Sequence, residues 1–285
     1  MKDKCRVRKI VYWLIAAALM AGLLLLACCF PLTKQYGSAE LVTFGDSVFG
    51  NVRDDSAIPA QLQVLTGKQT FNAAFGGTCA AKISGDSQLD YSLDALSLAA
   101  LTQAIRTEDF GPQQTMRTKT DSSLYFDGTV DALSAIDFNT VKTVLIAHGI
   151  NDYLAGVPLD DEDNSVNTYT YGGALRSAVQ NLRKVNPNLR IVLVSPTYIW
   201  LPDWGMNCEE YRGAETASLL EEYVAKQQEI AAQYGLEFVD LYHDLYVDDT
   251  FDDWKEYTID GVHPTESSRQ MIAEMIAERL KGGND

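Results

Sequence analysis

At 285 residues with 46% hydrophobic side chains, the chain can bury one sizeable core or at most two small ones. Its 39 acidic against 23 basic residues give a net charge of −16 at pH 7, which argues against a nucleic-acid partner, because such binding depends on clustered Lys and Arg neutralising phosphates. No Cys-x-x-Cys occurs among the five cysteines, so a structural zinc site is not expected.

Residues 10–30 carry no charged side chain and follow a basic start holding Lys2, Lys4, Arg6, Arg8 and Lys9. At about 1.5 Å of rise per residue such a run crosses the ~30 Å hydrocarbon layer as a helix, with the preceding cations holding its start in the cytoplasm. It exceeds the roughly 7–15 apolar residues usual in a cleaved signal, so a retained anchor is the first expectation. A lipoprotein signal ending at Leu25-Leu26-Ala27-Cys28 and an ordinary cleaved signal are the alternatives. All three place the globular part of the chain outside the cytosol, and the expected division is residues 1–36 as basic start plus membrane segment and 37–285 as one globular domain. Residues 1–33 hold five basic and one acidic side chain; the remaining 18 basic and 38 acidic residues give a net −20. In that compartment a Cys79–Cys208 disulfide is permitted, though sequence does not show it.

Beyond a short polar spacer, short apolar runs alternate with longer helical patterns, which predicts βαβ units around a parallel sheet. Strands are expected over 41–44, 70–75, 141–147, 190–195 and 237–241. Helices are expected over 56–65, and from Ser87, where Ser87-Gln88-Leu89-Asp90 has a capping-box-like spacing. Others are expected over 173–185, stopping before Asn186-Pro187, over 214–234, closed by Gly235, and after Pro264. The sum is a three-layer α/β/α sandwich with a five-stranded parallel sheet. The stretch 107–140 reads as an insertion or elaborated loop. Asp160-Asp161-Glu162-Asp163 reads as a solvated acidic loop, since it lacks the ligand spacing of a calcium loop.

In an open parallel sheet, ligands bind outside the carboxyl ends of the strands. Phe44-Gly45-Asp46-Ser47 puts a hydroxyl there after the first strand, although Gly-Asp-Ser is also ordinary turn chemistry. A serine nucleophile needs a base and oxyanion donors. Asp260-Gly261-Val262-His263-Pro264 offers an imidazole whose Nδ1 a carboxylate three residues earlier can reach, leaving Nε2 for Ser47. His148 and His243 rank lower as bases, neither being read as having a carboxylate at the Asp260–His263 spacing. Asn151, in Gly149-Ile150-Asn151-Asp152, supplies a neutral donor after the third strand. Gly76-Gly77, after the second, allows a backbone N–H to approach substrate. With the Ser47 amide these make an oxyanion hole of three donors. Tyr198, Trp200, Trp204 and Tyr211 read equally as a packed cluster or as the wall of a sugar or acyl groove.

These blocks, together with Asn72-Ala73-Ala74-Phe75-Gly76-Gly77-Thr78, resemble those of the SGNH, or GDSL-type, hydrolases over residues 40–282. The resemblance implies a flavodoxin-like sandwich and no metal or other cofactor. It also implies Ser47 as nucleophile, His263 as base and Asp260 as its orienting acid, with Gly77 and Asn151 completing the oxyanion hole; Gly76 can replace Gly77 in register. The expected activity is hydrolysis of acyl esters, such as acetyl esters, of extracellular or envelope glycans, or of small esters or lipids. An acyltransferase using the same triad is the alternative, and a non-catalytic surface binding module a third.

Overall fold

A computed structural model describes residues 38–84, 92–118, 128–213, 218–246 and 254–282. Five parallel strands form one sheet in the order β2-β1-β3-β4-β7: β1 is Leu41–Gly45, β2 Thr70–Asn72, β3 Thr143–Ala147, β4 Arg190–Val194 and β7 Glu237–Val239. A two-stranded antiparallel hairpin, β5 (Trp200–Leu201) and β6 (Met206–Asn207), rises from the connection after β4. Every residue of β1 and β3 is buried, as expected of strands covered on both faces, and this is why both read as unbroken apolar runs rather than alternating ones.

Seven helices position the site: α1 (Ser47–Gly50), α2 (Ile58–Thr66), α3 (Leu98–Thr107), α4 (Ile150–Leu154), α5 (Tyr171–Val185), α6 (Leu220–Tyr234) and α7 (Glu266–Gly282). The long ones pack in two groups, α2 with α7 and α3 with α5 and α6, and the sheet between them completes the three layers. Local chemistry sets their ends. Pro59 stands in the first turn of α2 and Gly67, at φ 69°, closes it in the left-handed region. Ser97 accepts from the Ala100 N–H at the start of α3, and Thr170 from the Gly173 N–H at the start of α5. Asn186 stops α5 before Pro187, and its amide donates to the carbonyls of Phe138 (3.1 Å) and Val141 (2.9 Å), tying that helix end to the entry of β3.

Several expected boundaries shift. The second strand ends at Asn72, yet Ala73 N–H and Phe75 N–H still donate to the carbonyls of Thr43 (2.9 Å) and Gly45 (3.1 Å), so the extended pairing persists to the residue expected. The fifth ends at Val239 because Asp240 caps a short helix, Leu241–Asp244, by accepting from His243 N–H. The irregular stretch contains short helices at Gly111–Gln114 and Thr129–Ser134. The expected helix start at Ser87 falls outside the described residues, and so does the expected membrane segment 10–30. Among the described residues no helix is long and apolar enough to cross a membrane.

One expectation needs correction. Asp160 is no free member of a solvated run: it pairs with Arg176 (2.5 Å), whose side chain is buried, and with Lys226 (2.7 Å). Cys79 and Cys208 are both buried free thiols rather than a disulfide; burial pushes both thiols above their ordinary value, Cys208 to about 11.

Candidate active site

The sheet order is that of a flavodoxin-like fold, whose ligand crevice opens where the winding reverses between β1 and its neighbour β3. Ser47 follows β1 and Asn151 follows β3, and Gly45 pairs in register with Ala147, so both lie at that crevice. Gly45 has no room for a side chain, since a Cβ there would lie 3.1 Å from both the Ala147 carbonyl and the Phe49 Cβ. Asp46 is buried and accepts from Val48 N–H (3.0 Å), capping α1 and leaving Ser47, its first residue, partly exposed.

The segment after β2 holds α1 in place. The Asn72 amide donates to the Phe49 carbonyl (2.9 Å) while its oxygen accepts from Ala74 N–H (3.0 Å). Arg53 donates to the carbonyls of Gly50 (2.9 Å), Asn72 (2.8 Å) and Ala74. The next turn needs a left-handed residue at Gly77 (φ 72°); Gly76 is buried and has no positive φ.

The third loop is clamped to this turn. Asn151 Nδ2 donates to the Thr78 carbonyl (2.9 Å), and the fully buried Asp152 carboxyl accepts from Ala80 N–H (2.8 Å) and Ala81 N–H (3.0 Å). Gly149, at φ 147°, faces Pro196 and Tyr171; a Cβ there would approach the Pro196 Cγ to 2.6 Å. The Tyr171 hydroxyl donates to the His148 carbonyl (2.9 Å). Burial raises the Asp152 carboxyl to about 7 against the pull of its backbone donors, with the Asp46 charge adding to the rise. Burial likewise raises Asp46 to about 6, while the Val48 N–H and the charge of His263 pull it down.

In the last loop, His263 Nδ1 meets Asp260 Oδ2 at 2.6 Å, and Asp260 Oδ1 accepts from the N–H groups of His263 (2.8 Å) and Val262 (3.0 Å). Burial opposes the charged Asp260, but these hydrogen bonds outweigh it and hold the carboxyl below its ordinary value. Gly261 adopts φ 93°, and a Cβ there would lie 2.4 Å from the Trp200 carbonyl. From α7, Arg269 reaches the Ser56 carbonyl (2.9 Å) and hydroxyl (2.8 Å), drawing the end of the chain against the segment that succeeds α1.

The competing histidines differ from expectation. His148 is buried with no hydrogen-bond partner on either ring nitrogen among the described residues, and burial lowers it to about 3, which leaves it neutral. His243 does have a carboxylate at the spacing thought peculiar to His263: Asp240 Oδ2 lies 2.8 Å from its Nδ1. What separates the two dyads is topology. His243 follows the edge strand β7, three strands from β1, or about 14 Å at the usual strand spacing. The aromatic quartet also divides. Tyr198 and the buried Trp200 pack with Tyr242, Tyr246 and Tyr257, whereas Trp204 and Tyr211 stack on each other at the surface (4.9 Å, 28°). Asp46 and Asp152 are structural braces that the sequence does not single out, because each sits beside a more conspicuous polar residue. The only signal is a carboxylate in the loop or first turn after a strand, directly for Asp46 and five residues on for Asp152, which ordinary turns share. Among the described residues no three His, Cys, Asp or Glu side chains are grouped to hold a metal.

A family model described as the GDSL-like Lipase/Acylhydrolase family matches residues 33–270. An acetylxylan esterase from Xylanibacter ruminicola is 26% identical over 146 residues, a match spanning 44% of this chain and 28% of that relative. Among solved structures, a protein from Lactobacillus plantarum superposes with a TM-score of 0.59 at 19% identity, covering 87% of this chain and 99% of that one. One from Chitinophaga pinensis, described as a possible lipase, gives 0.56 at 17% identity, covering 85% and 97%.

Proposed function

Because the chain belongs to the GDSL-like lipase/acylhydrolase family, we propose that it hydrolyses carboxylic esters through a covalent acyl-enzyme on Ser47. His263 Nε2 takes the hydroxyl proton as Oγ attacks the ester carbonyl. Asp260 holds the imidazole by Nδ1 and stabilises the cation that forms. The oxyanion is met by the backbone N–H groups of Ser47 and Gly77 and by the Asn151 amide, one of whose two N–H bonds is engaged by Thr78. As the intermediate collapses, His263 returns the proton to the departing alcohol. Water then repeats the sequence on the acyl-enzyme.

The observation that carries this reading is the 2.6 Å Asp260–His263 pair, on a loop that Arg269 of the following helix ties to Ser56 in the segment after Ser47. The substrates we propose are short acyl groups, acetyl first among them, on glycans outside the cell. The similarity to an acetylxylan esterase supports that choice, as does the basic-then-apolar start, which would tether the domain outside the membrane. Labelling with a serine-directed fluorophosphonate tests the chemistry. The wild-type chain should be labelled at Ser47 with loss of acetyl-ester turnover, and Ser47→Ala should show neither labelling nor turnover. Turnover retained in Ser47→Ala would refute the mechanism.

A further inference from the structure

From the placement of one exposed aromatic pair we infer a subsite: the face of Trp204, backed by Tyr211, is the platform on which a neutral sugar ring of the acylated substrate lies. This rests on the ester-hydrolase reading and names its substrate class. Trp204 is 57% exposed, whereas Trp200, four residues earlier, is 1% exposed and packed among tyrosines. One face of the Trp204 indole lies on Tyr211, and more than half of the side chain is open to solvent.

The pair is anchored at both ends of the site. On one side the hairpin that bears Trp204 is seated on the His263 loop: Trp200 N–H donates to the Gly261 carbonyl (2.8 Å), and Gly261 has no space for a side chain against Trp200 and Pro202. On the other side, the Tyr211 carbonyl accepts from the Tyr153 hydroxyl (2.9 Å) and its ring meets that of Tyr153 edge-on (6.0 Å, 82°). Tyr153 belongs to α4, the helix that carries Asn151. The platform is thus tied both to the loop of the proposed base and to the helix of the proposed oxyanion donor, and on this inference the alcohol part of the ester lies across it.

Charge selects among occupants. Asp203, Glu209 and Glu210 are exposed on the segment that bears the pair and outnumber its one cation, Arg212, and the chain as a whole carries −16. Such a rim repels anionic lipid surfaces and sugar acids, but its carboxylates accept hydrogen bonds from sugar hydroxyls. A flat indole face and a rim of acceptors suit a neutral pyranose.

The test compares Trp204→Ala and Trp204→Phe with the wild-type chain on two esters, an O-acetylated neutral xylo-oligosaccharide and 4-nitrophenyl acetate. In Trp204→Ala, kcat/KM on the oligosaccharide should fall about tenfold further than on the small ester, chiefly through KM, with Trp204→Phe recovering most of it. Equal losses on both esters, or no loss on either, would overturn the platform. So would a loss that appears only on long-chain 4-nitrophenyl esters or phosphatidylcholine vesicles, which would make it an acyl contact. If the wild-type chain hydrolyses no ester, the parent reading fails, and the platform is judged by binding alone. The deacetylated oligosaccharide should quench tryptophan fluorescence in the wild type and not in Trp204→Ala; no quenching in the wild type would overturn the platform.

Discussion

Replacing Asp152 by Asn sets two opposing energies of the site against each other. The carboxyl is fully buried and accepts from two backbone N–H groups at 2.8 and 3.0 Å. Asparagine keeps the shape but turns an NH2 toward one of those donors, and a buried donor left unsatisfied costs about 1–3 kcal/mol. Against this, burial raises the folded-state carboxyl to about 7 from its ordinary 3.8. A group raised in this way holds its proton more tightly in the folded chain, so its contribution to stability is greatest below pH 3.8 and declines as pH climbs through 7. A shift of this size corresponds to about 4 kcal/mol across that window. The variant lacks this titration, although Asp46, raised to about 6, still contributes its own. Urea unfolding of both proteins from about pH 4 to pH 8 should show the wild type losing about 4 kcal/mol more than Asp152→Asn, so that the variant's deficit is largest in acid and shrinks toward the alkaline end. At about pH 8 the variant's turnover of a small ester should fall by up to about 10²-fold with KM little changed, because the clamp positions α4 and the 78–81 segment. Parallel stability curves, with a deficit independent of pH, would refute the account of a buried carboxyl that folds preferentially as the acid.

Two further substitutions separate the proposed roles. Asn151→Ala should lower kcat by about 10²–10³-fold with little change in KM, and an unchanged kcat measured on 4-nitrophenyl acetate would remove this amide from the oxyanion hole. His263→Ala should abolish ester turnover while His243→Ala retains it; steady-state rates in the reverse order would transfer the base to the Asp240–His243 pair.

The five strands are legible in the sequence because three buried runs and two partly buried edge segments leave little else that such short apolar stretches can be. Their boundaries are less so. The apolar pattern carries β3 back to Val141 and Lys142, whereas the strand proper begins at Thr143; the Lys142 backbone still bonds Glu40 and Arg190, and the Val141 carbonyl is taken by the Asn186 side chain. Asp240 ends β7 by capping the next turn, a local competition between side chain and ladder that a hydrophobic pattern does not register. The β5–β6 hairpin is not legible at all, since its strands are two residues each and owe their place to Gly261 and the packed tyrosines rather than to any periodicity of their own.

The two Asp-x-x-His pairs show where sequence stops discriminating and topology begins. Locally they are the same device: each aspartate accepts from the histidine N–H and holds its Nδ1, at 2.6 Å for His263 and 2.8 Å for His243. Spacing therefore cannot rank them, and their surroundings do. Asp240 and His243 cap a helix at the end of an edge strand, with β4 and β3 between them and β1. The segment bearing Asp260 and His263 leaves that edge and ends in α7, which packs on α2, the next long helix after Ser47. Arg269 fixes this return at Ser56, and Gly261 lets the loop press on the β5 backbone without a side chain between them. The final helix thus draws the Asp260–His263 loop toward the segment that follows Ser47, so under the proposed mechanism a substitution that loosens α7 from α2 would weaken His263 chemistry from a distance while leaving the Asp240–His243 pair intact.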